Sequence, residues 1–295
     1  MWMLFAFGSA LAAGVTAILA KIGIKNVGSN LATALRTIVV LAFSWLMVFI
    51  TGSQNTISSI SGRTLLFLIL SGLATGASWL CYFRALQIGD VNKVTPVDKS
   101  STVLTMILAF LFLKEKATPL KLICMACIGI GTYLMIDRKR QSAEQRGDTV
   151  SGKVTHPWAW LLYASLSAVF ASLTSILGKV GISGVESNLG TAIRTIVVLI
   201  MAWVVVFVTG AQKELKQVDR KSAVFLVLSG ITTGMSWLCY YRALQDGPAS
   251  VVLPIDKLSI LVTVFFSYIV LKEKLSFKSG AGLVLITAGT LALLV

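Results

Sequence analysis

Stretches of about 20 apolar residues, divided by short polar breaks, recur along this chain, and that is the length a helix needs to cross roughly 30 Å of hydrocarbon. Read by apolar length and by breakers, the pattern predicts ten transmembrane helices in two sets of five. The first set lies near 2–23, 30–50, 65–88, 93–113 and 118–136. The second lies near 159–181, 188–208, 223–246, 251–271 and 276–295. Between the sets, residues 138–157 turn polar and charged and read as a linker, which leaves repeats at 1–137 and 158–295. The opening run MWMLFAFGSALAAGVTAILAK has no basic n-region and no clear small-residue cleavage site, so it is expected to be a retained span and not a signal peptide.

The two sets are copies. A shift of 158 residues superposes them without a gap, placing Lys21 on Lys179, Arg36 on Arg194, Trp79 on Trp237, Arg84 on Arg242 and Asp98 on Asp256. About 60 of roughly 137 aligned positions are identical, far above chance for two apolar sequences, and this marks a duplication. Five is an odd number, so the second copy must enter the membrane the other way up. Inverted repeats of this kind are common in secondary transporters, whose sites lie near the midplane between the repeats.

Composition supports a membrane protein: 56% hydrophobic and only 13% charged residues leave more apolar surface than one soluble core absorbs. The formal charge of +14 sits at helix ends and in loops, with no basic patch interleaved with aromatics, so no nucleic-acid partner is expected. Much of it reads as topogenic. The basic linker and the 213–221 loop favour both termini outside. Cys124 and Cys127 form a C-x-x-C inside an apolar helix, but the second copy has Gly282 and Leu285 there and no second ligand pair exists. No metal site, cofactor or enzyme motif (P-loop, H-E-x-x-H, G-x-S-x-G, Rossmann fingerprint) is expected.

Candidate chemistry is the ionisable content of the spans, because charges are costly in lipid and mark substrate or proton paths. Asp98 and Asp256 are candidate protonatable groups, whose affinity for a proton responds to desolvation and to an arriving substrate; the bland alternative for Asp98 is an ion pair with Arg84. Each aspartate opens a polar stripe on one helical face: Asp98, Ser101, Thr102 and Thr105 in the first copy, Asp256, Ser259, Thr263 and Ser267 in the second. Such a stripe lines a cavity or bonds to a neighbouring helix. Pro96 and Pro254, just before the aspartates, either shape a helix start or free backbone carbonyls near the site.

Arg36 and Arg194 sit about two turns into their spans, too deep for comfortable snorkelling, and are candidates for the interior. Lys21, Lys179, Lys99 and Lys257 have snorkelling as the alternative to a place at the site. Asn30 and Asn188 add polar surface to the arginine helices. Gly72 and Gly76, repeated as Gly230 and Gly234, form G-x-x-x-G motifs and predict close helix packing. Trp79 and Tyr82, with Trp237 and Tyr240, either form part of an interfacial belt or border the cavity and contact substrate.

In these residues the chain resembles the drug/metabolite transporter superfamily, EamA type, over both copies. The runs that carry the likeness are Leu31 to Thr37, Trp79 to Gln87 and Pro96 to Lys99, with Leu189 to Thr195, Trp237 to Gln245 and Pro254 to Lys257. Each half is similar to the short five-span bacterial and archaeal transporters. The resemblance implies a ten-helix bundle around a central cavity, export of small metabolites with or without proton coupling, and cytoplasmic termini, opposite to the charge count. The acidic residue used by small multidrug resistance proteins in their first helix has no equivalent here, which argues against a lipophilic cation.

The expectation is therefore an all-α polytopic protein of the inner cell membrane and a secondary exporter of an anionic or zwitterionic solute, such as an amino acid or organic acid. Its partners are that solute, the bilayer and, with coupling, protons. A monomer suffices and a dimer stays open. The expected substrate-binding residues are Arg36, Trp79, Tyr82, Arg84, Lys99, Arg194, Trp237, Tyr240, Arg242 and Lys257. The expected proton-coupling residues are Asp98 and Asp256, with Lys21, Asn30, Ser101, Thr105, Lys179, Asn188, Ser259 and Thr263 lining the cavity. A lipid-carrier flippase and a non-transporting scaffold are the alternatives.

Overall fold

The computed structural model describes residues 1–23, 27–88, 94, 97–135, 158–270 and 277–294. The predicted linker, Pro96 and the side chains of Lys21 and Ser267 lie outside the described residues. The described chain is helical, and its apolar periodicity leaves long helices with exposed apolar residues such as Leu46, Phe49, Ile200 and Phe207, as expected of surfaces facing lipid.

In chain order the helices are α1 (Trp2–Gly23), α2 (Ser29–Ile50), α3 (Gly62–Ile88), α4 (Ser101–Phe112) and α5 (Pro119–Leu134). They continue as α6 (Ala159–Ile182), α7 (Ser187–Thr209), α8 (Arg220–Asp246), α9 (Ala249–Lys257), α10 (Ser259–Val270) and α11 (Phe277–Ala292). Seven stretches among the described residues are long and apolar enough to cross a bilayer, α9 with the start of α10 counting as one, and α5 and α11 are shorter apolar helices. Of the fourth predicted span, residues 94 and 97–99 and the helix Ser101–Phe112 are described, with a turn at Ser100.

The copies interlock. α1 packs on α8 and α3 on α6; α2 packs on α7 and α8, α3 on α7, and α5 on α11. Ser9 meets Ser236 and Thr16 meets Thr232, so α1 and α8 cross in opposite senses. Ser71 meets Thr174 and Ser78 meets Ser167, so α3 and α6 do the same.

Glycines set the closest approaches, as their spacing predicts. A Cβ on Gly72 would lie 2.7 Å from Val197 of α7, and one on Gly230 would lie 2.6 Å from Val39 of α2. Gly76 and Gly234 abut Met201 and Phe43 in the same way. Along both contacts residue numbers rise together, so α3 runs parallel to α7 and α8 to α2. After α2 and α7 the chain turns through Gly52 (φ 70°) and Gly210 (φ 73°), left-handed conformations that glycine reaches without a Cβ penalty.

The start of α2 lies beside the end of α7, where Asn30 Nδ2 donates to Thr209 Oγ1 (3.3 Å), and the start of α7 lies beside the end of α2, where Asn188 Nδ2 donates to Thr51 Oγ1 (3.4 Å). The copies differ in capping here. Glu186 caps its own helix by accepting from the Asn188 and Leu189 amides, whereas Gly28 stands at the equivalent position and its amide donates to Glu214 of the other copy.

Candidate functional site

A cavity of about 340 Å³ lies between α1, α2, α3 and α8. Its walls include Thr33, Arg36 and Thr37 from α2, Trp79 from α3, and Thr233 and Trp237 from α8. Among the described residues, Arg36 is the one charged residue on those walls, and no carboxylate lines them. The two tryptophans come from opposite copies and face the same space, which places them at the cavity and not in an interfacial belt.

Arg36 is half-buried; its Nη2 donates to Thr233 Oγ1 (2.7 Å) and its Nε has no protein partner. A guanidinium holds five donors in a fixed fork suited to a carboxylate or phosphate. Its copy is in another condition. Arg194 is 3% exposed, donates from Nε to Ser71 Oγ (2.9 Å) and from Nη2 to Thr75 Oγ1 (2.7 Å), and lies over the rings of Trp237 (5.4 Å) and Tyr241 (4.9 Å). Arg194 is packed behind Trp237 and is not on the cavity wall.

The aspartates are tied to serines. Asp256 Oδ1 accepts from Ser9 Oγ (2.7 Å), and Ser9 in turn meets Ser236 Oγ (3.2 Å). Asp98 Oδ1 accepts from Ser167 Oγ (2.8 Å), which meets Ser78 Oγ (3.2 Å). Each aspartate is thus held by the first helix of the opposite copy. Ser236 also lies on the cavity wall, so one Asp–Ser–Ser chain reaches the cavity.

Both Asp-Lys pairs stand where a helix breaks. α9 contains Pro254, which cannot return a hydrogen bond to the Ser250 carbonyl, and it ends at Lys257. Leu258 and Leu261 then make i−3 backbone bonds (2.9 Å each) before α10 proceeds. In the first copy Val97–Lys99 is helical, Ser100 forms a turn onto Val97, and α4 starts at Ser101. With α9 beginning at Ala249, Pro254 lies inside the helix and not at its start. Lys99 and Lys257 are exposed, make no hydrogen bond among the described residues, and lie within electrostatic reach of each other.

Several candidates are placed elsewhere. Lys179, expected on the cavity, donates from Nζ to the carbonyls of Leu244, Gln245 (3.2 Å) and Gly247 (2.7 Å), capping the C-terminal end of α8 where cations are favoured. Asn30 and Asn188 tie helix ends, as described above. Thr105 and Thr263 bond the carbonyls of Ser101 and Ser259 on their own helices, and Thr263 also reaches Gly14 of α1. The stripes of α4 and α10 therefore pack against neighbouring helices, the helix-contact alternative, because first helices with small residues come close enough to cover them.

Arg242 pairs with Asp246 one turn on (3.3 Å) and contacts Gln245. The second copy thus makes an exposed ion pair within α8, not one with Asp256. Arg84 is exposed. Tyr82 packs beside Ala85, Val94 and Ala164. Tyr240 donates to Ser175 Oγ (3.3 Å) and sits edge-on to Tyr241.

Sequence reasoning passed over Ser9, Ser71, Thr75, Ser167 and Thr233. Their signal was recurrence: Ser9 repeats as Ser167, Ser71 as Ser229, and Thr75 as Thr233. Glu115 was also passed over. Its carboxylate accepts from the Ala249 (2.6 Å) and Ser250 (3.0 Å) amides, capping α9 from the end of α4.

Comparison with known proteins matches this architecture. An uncharacterized transporter encoded in the cobO 3' region of a Sinorhizobium species is 46% identical over 134 residues, 45% of this chain and 95% of its own. It is thus about one copy long. An uncharacterized protein of Methanocaldococcus jannaschii is 30% identical over 100 residues, 31% of this chain and 73% of its own. A protein of known crystal structure shares the fold at a TM-score of 0.73, over 99% of this chain and 96% of its own, with 16% identity. The EamA-like transporter family model matches residues 1–137 and again residues 158–295. With both copies matched, the chain belongs to the EamA-like transporter family and is a multi-pass membrane transporter of small molecules.

Proposed function

We propose that the chain is a secondary active exporter that moves a small anionic or zwitterionic metabolite, of the amino-acid or organic-acid class, by alternating access between two inverted five-span repeats. The observation that carries the substrate class is Arg36: a charged group on the cavity wall, with no carboxylate among the described residues that line the same space. A carboxylate entering there can pair with the guanidinium, while a cation meets repulsion. Trp79 and Trp237 bracket the space and offer ring faces to the rest of the solute.

The inverted arrangement is supported by the sense of the helix contacts. α1 opposes α8 while α2 parallels it, and α6 opposes α3 while α7 parallels it. Successive spans alternate in direction, so matching helices of the two copies run opposite ways. On this reading the fourth and ninth spans are broken helices whose Asp-Lys ends meet near the midplane, and ten spans cross the inner cell membrane. A monomer holds both halves of the site.

Asp98 and Asp256 carry proton coupling in this scheme. Each accepts a hydrogen bond from a serine of the opposite copy, and each is followed in sequence by a lysine. Asp256→Asn and Asp98→Asn are expected to keep the fold and remove the stimulation of flux by an imposed pH gradient. The reading is tested by uptake of labelled solutes into proteoliposomes. Amino or organic acids are expected to be moved and inhibited by one another; a preference for cations would overturn it.

A further inference from the structure

Fewer than half of the aligned positions in the two copies are identical, yet every described residue lining the open cavity has the same residue at its partner position. Thr16, Thr33, Arg36 and Thr37 recur as Thr174, Thr191, Arg194 and Thr195; Thr233 and Ser236 recur as Thr75 and Ser78; and Trp79 and Trp237 exchange. The complete match along this surface exceeds the general similarity between the copies.

The partner set is shut. Thr33 and Arg36 are half-buried, whereas Thr191 is fully buried and Arg194 is 3% exposed. The latch is visible. Arg194 holds both Ser71 and Thr75 of α3, and Thr75 also meets Thr174 of α6 (3.3 Å). In the open half Arg36 holds Thr233 alone. Ser229, the copy of Ser71, makes the matching bond to the Thr16 carbonyl (3.3 Å, against 2.7 Å from Ser71 to Thr174) but takes none from Arg36, and Thr16 donates to Thr232 (2.8 Å) where its copy Thr174 meets Thr75.

We propose that the chain carries a second binding site for the same anionic group, centred on Arg194 and closed here, that opens to the opposite membrane face as the Arg36 cavity closes. The lining on α2 occupies its first half, from Thr33, and the matching lining on α7 occupies its first half, from Thr191. The start of α2 lies beside the end of α7, so the two linings are displaced toward opposite ends of the bundle. Identical linings make the bonds lost in one half the bonds gained in the other. The two states then differ only through the unmatched residues, and the populations stay close enough for a solute to shift them. Arg36 and Arg194 take turns as ligand and as latch.

This rests on the alternating-access part of the proposed function and not on the substrate class, and its test needs no substrate. With Cys81, Cys124, Cys127 and Cys239 replaced by serine, single Thr33→Cys and Thr191→Cys variants are labelled by a membrane-impermeant maleimide in right-side-out and inside-out vesicles. Thr33→Cys is expected to react from one face, and Thr191→Cys, more slowly, from the other. Adding Thr75→Val, which removes one latch bond from Arg194, is expected to speed Thr191→Cys labelling about tenfold and slow that of Thr33→Cys. If Thr191→Cys does not fold, Ala171→Cys, at the position matching Ala13, gives the same readout.

Labelling of the second-copy cysteine only after denaturation, or from the same face as Thr33→Cys, overturns the second site. That result beside solute uptake overturns this inference alone; that result with no uptake of any solute removes the proposed function as well.

Discussion

The Arg36 half and the Arg194 half contain the same residues in different conditions. In one, a guanidinium with a single hydrogen bond faces a cavity. In the other, the same side chain is sealed by two hydroxyls and two aromatic rings. Burying an arginine is costly, and the cost is tolerated where donors are satisfied and rings cover the planar face. Arg194 still leaves Nη1 without a partner. The comparison teaches that the residue type sets what the site can bind, and the packing of α3, α6 and α8 around it sets whether the site is open.

The largest test of that difference is removal of each arginine. Arg194→Ala strips the sealed half of its central polar contacts and leaves a void, and is expected to cost about 3 kcal/mol of stability in detergent unfolding. Arg36→Ala is expected to cost about 1 kcal/mol, because one hydrogen bond is lost into a space water can fill. Equal losses would break the comparison.

One step smaller is removal of a single acceptor. Thr75→Val leaves Arg194 Nη2 unsatisfied in a closed environment and is expected to cost about 2 kcal/mol, whereas Thr233→Val is expected to cost no more than about 1 kcal/mol, since Arg36 can turn to water. The melting temperatures of the two variants, measured side by side, read the difference. Smallest are the clamps at the helix ends. Asn30→Ala and Asn188→Ala remove similar bonds at matching places and are each expected to lower stability by about 0.6 kcal/mol. These two are the symmetric control, and unequal shifts would point to a difference between the halves away from the arginines.

Much of the architecture was legible as a duplicated apolar pattern. The glycine pairs at 72 and 76 and at 230 and 234 announced the α3–α7 and α8–α2 contacts because only glycine permits backbones that close. The depth of Arg36 in its span announced an interior charge, and Trp79 was legible as a cavity residue from its mid-span place.

What escaped was the partnering of hydroxyls. Serine and threonine are ordinary in membrane helices, and nothing local tells Ser9 or Ser167 that an aspartate from the other copy will arrive. Lys179 escaped for a similar reason: its role depends on the end of α8, far away in sequence, lying beside the end of α6. The stripes of α4 and α10 had the periodicity of a cavity wall and of a helix contact alike, and the neighbouring helix decided. The asymmetry between Arg36 and Arg194 was not legible at all. The residues around them match pair by pair, so no local reading could say which half stands open.

The central claim is that Arg36 receives the anionic group of the transported solute. The most direct measurement is proteoliposome uptake of one labelled amino or organic acid by the wild-type protein and by Arg36→Gln, each titrated with the acid up to saturation and after matched monodispersity. The account predicts that the variant folds, that its apparent affinity for the acid falls at least about tenfold, as expected for loss of a charged hydrogen bond, and that a neutral amide analogue is carried equally poorly by both. Unchanged affinity for the acid in Arg36→Gln, or wild-type transport of the amide as good as that of the acid, would contradict it.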